Sequence, residues 1–146
     1  MPPTYTPASA NAALPYVRRV VADLVRDHAD WRASAAALAA VDAVPPADAV
    51  RAAGADVAAL RRRAAQLAED VRAALADLAT LGVECKGLDV GLVDFPAVMA
   101  GVPAYLCWKL GEPTVAWWHP RDAGFAGRQL IGGAWSVDIA APEVPA

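Results

Sequence analysis

From Val50 to Leu81, apolar residues recur in alternating steps of three and four: Val50, Ala53, Val57, Leu60, Ala64, Leu67, Val71, Ala74, Leu78 and Leu81. Residues three and four apart share one side of an α-helix, so this spacing predicts a rod about 50 Å long with an unbroken heptad-type seam. Gly82 stands where a left-handed residue ends such a helix. A stripe that long needs a long partner.

The partner precedes it. Thr6-Pro7 predicts a helix start, a capping hydroxyl followed by Pro at the first helical position. Pro15 predicts an end or a kink near Leu14. Beyond it Val17, Val20, Val21, Leu24, Val25, His28, Trp31, Ala35 and Leu38 keep one apolar face, which should stop at Val44-Pro45-Pro46. Two such helices joined by a short Pro-rich turn form an antiparallel hairpin, and the seam offers a coiled-coil surface to a second subunit. Arg61, Arg62 and Arg63 read as a solvated face. His28 reads as a buried structural imidazole, and Trp31 as an anchor in a helix–sheet or subunit contact.

After Gly82 the period changes to short alternating runs punctuated by Gly and Pro, the pattern of strands. Leu88–Ala97, Ala104–Leu110 and Thr114–His119 are expected to form a three-stranded antiparallel meander with turns at Ala100-Gly101 and Gly111-Glu112. Two-residue loops would pair Asp94 with Cys107 and Cys107 with Ala116. They would also align Leu92 with Lys109 and Thr114, and Pro96 with Tyr105 and Trp118. One face then holds Asp94, Tyr105, Cys107, Lys109 and Trp118. The other, with Val93, Phe95, Leu106, Trp108, Val115 and Trp117, packs on the helices. The predicted class is therefore α+β, a long antiparallel helical hairpin on a small β-meander.

The 146 residues are expected to form one domain over 1–131, with the hairpin over about 7–82 and the meander and a loop anchored by Phe125 over about 86–131. Residues 132–146 read as an extended or disordered tail, with Trp135 tethering part of it. A net charge of −3 and a pI near 5.2 argue against nucleic acid as partner. No signal-peptide pattern or membrane span is expected, and two isolated cysteines suit reduced thiols in the cytoplasm.

Several blocks resemble one family. YTPASANAALPYVRR, GLVDFP, YLCWKLGE and WHPRDAGFAGR, in that order, resemble the signatures of the bacterial family catalogued as domain of unknown function 2203, from about Tyr5 to Ile131. Gly87 departs from the pattern, where an acid is expected after Lys86. The resemblance implies a family and carries no activity.

The residues leave three functions open. A divalent transition metal such as zinc would draw on Asp94, Cys107, Glu112, His119 and Asp122, the thiolate, imidazole and carboxylate donors that such ions take. The expected register, however, puts His119 on the face opposite Asp94. A small ligand or substrate would use the mixed face: Asp94, Tyr105, Cys107, Lys109, Thr114 and Trp118, with Arg128 reaching in from the loop. The reading placed first is a non-catalytic interaction module, a homodimer formed through the helical seam or the sheet face. In that reading Asp94, Glu112, His119 and Arg128 simply tie the loop to the sheet.

Overall fold

The structure is a computed structural model that describes residues 3–43 and 46–132, with side chains omitted for 46–55. Helix α1 runs from Pro7 to Asp42 and α2 from Pro46 to Thr80. Thr6 caps α1 in a reciprocal box with Ser9, as a hydroxyl before Pro7 predicts. The helix does not end at Pro15, which lies inside it. At the other end Gly82, with φ 74, takes the left-handed conformation, and the Val83 N–H closes onto the Leu78 carbonyl at 2.9 Å.

The hairpin is antiparallel. Tyr5, just before α1, donates its hydroxyl to the Leu81 carbonyl at 2.6 Å, and Arg63 of α2 reaches Asp30 of α1 at 3.9 Å. Ala64, Leu67 and Leu78 of the seam are buried within the chain. Arg61, Arg62 and Arg63 are exposed, and Arg61 pairs across the hairpin with Asp42 at 3.3 Å. Trp31 remains exposed and stacks on half-buried His28, whose Nδ1 lies 3.5 Å from Asp89.

Five antiparallel strands follow in sequential order: β1 (Glu84–Gly87), β2 (Leu92–Met99), β3 (Val102–Lys109), β4 (Trp117–Pro120) and β5 (Gln129–Leu130). The expected three strands are the middle of this sheet. β1 and β5 are too short to show alternation, and residues 88–91 form a turn rather than the start of β2. The β2–β3 register is as expected: Asp94 opposes Cys107, Leu92 opposes Lys109 and Pro96 opposes Tyr105. Its two-residue turn places Ala100 at φ 52 and Gly101 at φ 75, the twist a tight hairpin needs.

The next register differs by one residue. Cys107 opposes Trp117, not Ala116, and Tyr105 opposes His119, not Trp118. Asn11 of α1 is the cause. Its side-chain oxygen accepts from the Val115 N–H at 2.8 Å and its amide donates to the Val115 carbonyl at 3.1 Å, taking that residue off the sheet ladder. Arg18 also holds the Pro113 carbonyl at 2.9 Å. The connection is therefore longer than two residues, Thr114 lies outside the sheet, and β4 starts at Trp117. A one-residue slip exchanges the faces. Trp118 now packs against the core and Trp117 looks outward beside Cys107.

One face of the sheet supplies Val93, Phe95, Leu106 and Trp108 to a core completed by Leu14, Val17, Val21 and Leu24 of α1 and Leu78 of α2. Gly91, at φ 72, lets the chain approach this core so closely that a Cβ there would lie 2.8 Å from Val21 and Leu110. The opposite face carries the polar groups. Among the described residues no helix is long and apolar enough to cross a membrane. The expectations for residues 133–146, Trp135 included, and for Val44-Pro45 lie outside the described residues.

Candidate metal centre

Strand alternation and the shifted register bring three side chains from consecutive strands to one spot. Asp94 of β2 faces Cys107 of β3, and His119 of β4 reaches diagonally across β3 to meet both. The carboxylate, thiol and imidazole donor atoms lie within 4.8 Å of one another. All three residues are buried: 3% exposed for Asp94, 2% for His119 and 0% for Cys107. Burial at this level is rare for an Asp without a partner, because desolvating a carboxylate costs several kcal/mol.

The imidazole is held from both ends. Nδ1 lies 2.7 Å from the Pro120 carbonyl and Nε2 lies 3.0 Å from Asp94 Oδ1. A carbonyl oxygen can only accept, so Nδ1 carries a proton. In the neutral ring Nε2 then presents its lone pair to an oxygen that also carries lone pairs. Something positive has to sit between them. In the metal-free chain that is a proton, on the ring or on the acid.

Burial raises the Asp94 carboxyl above its usual range, and the hydrogen bond to His119 opposes this without cancelling it. The Cys107 thiol is pushed up to about 12, first by burial and then by the charge of Asp94. Arg128 works the other way on the thiol, its Nη1 lying 3.7 Å from Sγ. That guanidinium is fixed: it forms a two-pronged pair with Glu112, with Nη1 3.2 Å from Oε1. It also lies 4.4 Å over Trp117 and 4.5 Å over Phe125. Glu112 is itself gripped by the Lys109 N–H at 2.8 Å, and its carbonyl accepts from the Trp108 indole at 2.9 Å.

Of the five metal candidates, Asp94, Cys107 and His119 converge. Glu112 is committed to Arg128, and Asp122 is exposed in the turn after β4. Of the ligand candidates, Asp94, Tyr105 and Arg128 share the outer face and Lys109 lies at its margin, its Nζ 5.8 Å over Phe125. Trp118 belongs to the opposite face. Sequence reasoning missed Glu84 and Arg121. Glu84 opposes Asp94 on β1 and binds Lys86 at 3.2 Å, and Arg121 donates to the Tyr105 hydroxyl at 3.0 Å. The only signal for Glu84 was its two-residue spacing from Lys86 in a four-residue strand.

Fold and site together define a class: a small α+β protein whose helical hairpin backs an antiparallel meander with a buried carboxylate, thiol and imidazole on the outer face. A family model described as an uncharacterized conserved protein, DUF2203, matches residues 3–131, and the chain belongs to that family. Comparisons with curated proteins and with solved structures gave no match. Each resembling block contributes to this one region: Asn11 sets the register, Asp94 and Cys107 supply donors, Glu112 and Arg128 flank the thiol, and His119 closes the cluster.

Proposed function

We propose that the chain binds a divalent transition metal, with zinc the best fit, through Asp94, Cys107 and His119 Nε2. The observation that carries this is the orientation of His119. Its Nδ1–H is tied to a backbone carbonyl, the outer-shell contact that metal-binding histidines use, and Nε2 points at a carboxylate beside a thiol. Zinc at about 2.0–2.3 Å from each donor brings donor pairs to roughly 3.3–3.8 Å, within reach of small rotations of these side chains. A bound ion would release to water both the proton shared by Asp94 and His119 and the Cys107 thiol proton, since coordinated thiols are deprotonated by their metal. Arg128 then stabilises the thiolate from outside the coordination sphere.

Three protein ligands leave a fourth position, the arrangement of zinc sites that bind or activate a small molecule rather than of closed structural ones. A dimerisation role through the helical seam has less support, since Leu67 and Leu78 are already buried inside the chain. Elemental analysis of the purified protein tests the proposal. One zinc per chain, lost in the His119→Ala variant, is the expected result. A folded protein that holds no metal after incubation with zinc and desalting contradicts it.

A further inference from the structure

Two cationic side chains beside the cluster, Lys86 and Arg121, meet on one ring. Tyr105 opposes His119 across β3 and β4, with ring centroids 5.4 Å apart. The Lys86 ammonium lies 5.0 Å over that phenol and the Arg121 guanidinium 4.5 Å over it, with Nη1 on the hydroxyl. Lys86 and Arg121 are exposed, whereas Tyr105 is buried, so two long side chains form the outer cover of the cluster on this side. Such side chains move off a ring at low cost, because their heads are already in water.

The charges do not balance. Glu84 offsets Lys86, and Glu112 offsets Arg128. A divalent ion would be neutralised by the Asp94 carboxylate and the Cys107 thiolate. Arg121 has no carboxylate within 4.0 Å among the described residues: its Nη1 is on the Tyr105 hydroxyl, and Glu84, already paired with Lys86, meets its charge only at longer range. A loaded site would thus have Arg121 beside it as its least compensated cation, with a fourth coordination position to fill.

Resting on the metal reading above, we infer that the loaded site takes a small oxyanion, a carboxylate or a phosphate, with one oxygen on the metal and the others between Arg121 and Lys86. Guanidinium and ammonium groups flanking a metal are a strong combination for such a ligand, since each bond to it is charge-assisted.

Cobalt(II) reports on both steps in the full chain, because thiolate coordination gives a charge-transfer band and the visible bands follow the fourth ligand. Inorganic phosphate and acetate are titrated separately into the cobalt-loaded protein. A saturable change in the visible bands is expected with at least one anion, and the anion that acts identifies the class. Arg121→Gln should weaken that anion about tenfold and leave the cobalt stoichiometry unchanged. A normal thiolate band with visible bands that neither anion moves, or an anion affinity unchanged in Arg121→Gln, overturns the anion site and leaves the metal reading standing. No thiolate band at all overturns both.

Discussion

His119 Nε2 lies 3.0 Å from Asp94 Oδ1, in a pair of side chains 3% and 4% exposed that come from strands separated by β3. Because Nδ1 is occupied by the Pro120 carbonyl, this contact exists only while a proton or another cation is shared between the two residues. That single relationship joins the stability of the sheet to whatever binds on its outer face.

Breaking the pair on one side leaves the other group buried without a partner. His119→Ala should cost about 3–5 kcal/mol in the metal-free protein, the range for uncovering one member of a buried pair. The double variant Asp94→Ala/His119→Ala should cost clearly less than the sum of the two single changes. Urea midpoints with unchanged m-values measure both. Strictly additive losses would show that the two side chains are not coupled.

Cys107 gives a pH dependence with a definite sign. Its thiol rises from an ordinary value of 9.0 to about 12 on folding, so above pH 9 the unfolded chain releases a proton that the folded chain retains. The folded state then binds more protons, and stability falls as pH rises through this window. Cys107→Ala should be less stable than the parent at pH 7 but should show a flatter decline between about 9 and 12. The native thiol should also resist iodoacetamide at pH 8 and react once urea unfolds the chain.

Glu84 acts at the acid end. Burial raises its carboxyl, but hydrogen bonds from Tyr105 and Lys86 outweigh this and leave it below its ordinary value of 4.5. A carboxylate depressed on folding contributes stability above that value, and the contribution is lost as pH falls through the folded value. Glu84→Gln should therefore reduce the loss of stability between pH 5 and 3, read as a smaller shift of Tm with pH. An unchanged acid limb would remove Glu84 from the network.

Asn11 should matter to the site from a distance. Asn11→Ala leaves the Val115 N–H and carbonyl without their partners, and each buried group so exposed costs about 1–3 kcal/mol. Hydrogen exchange at Val115 should accelerate, and metal affinity should fall because β4 loses the anchor that places His119. Normal affinity in a folded Asn11→Ala protein would separate the register from the site.

Much of this architecture is legible in the residues. The three–four spacing of α2, the cap at Thr6 and the stop at Gly82 are local signals, and the structure has all three. The β2–β3 pairing followed from Ala100-Gly101 alone. The β3–β4 pairing did not, because its register is set by Asn11, 104 positions away, acting as a substitute strand for Val115. That one residue moved His119 to the face of Asp94 and exchanged Trp117 with Trp118. β1 and β5, of four and two residues, are held by their neighbours and carry no periodicity of their own. The donors were visible as residue types, but their convergence depends on a helix gripping a loop.

On the proposed reading, Asp94, Cys107 and His119 hold one metal ion. Titrating cobalt(II) into the metal-free chain and reading the thiolate-to-metal band in the near ultraviolet tests it most directly. The expected band saturates at one equivalent, vanishes in Cys107→Ala and is displaced by zinc. A folded, metal-free protein that shows no such band at excess cobalt would contradict it.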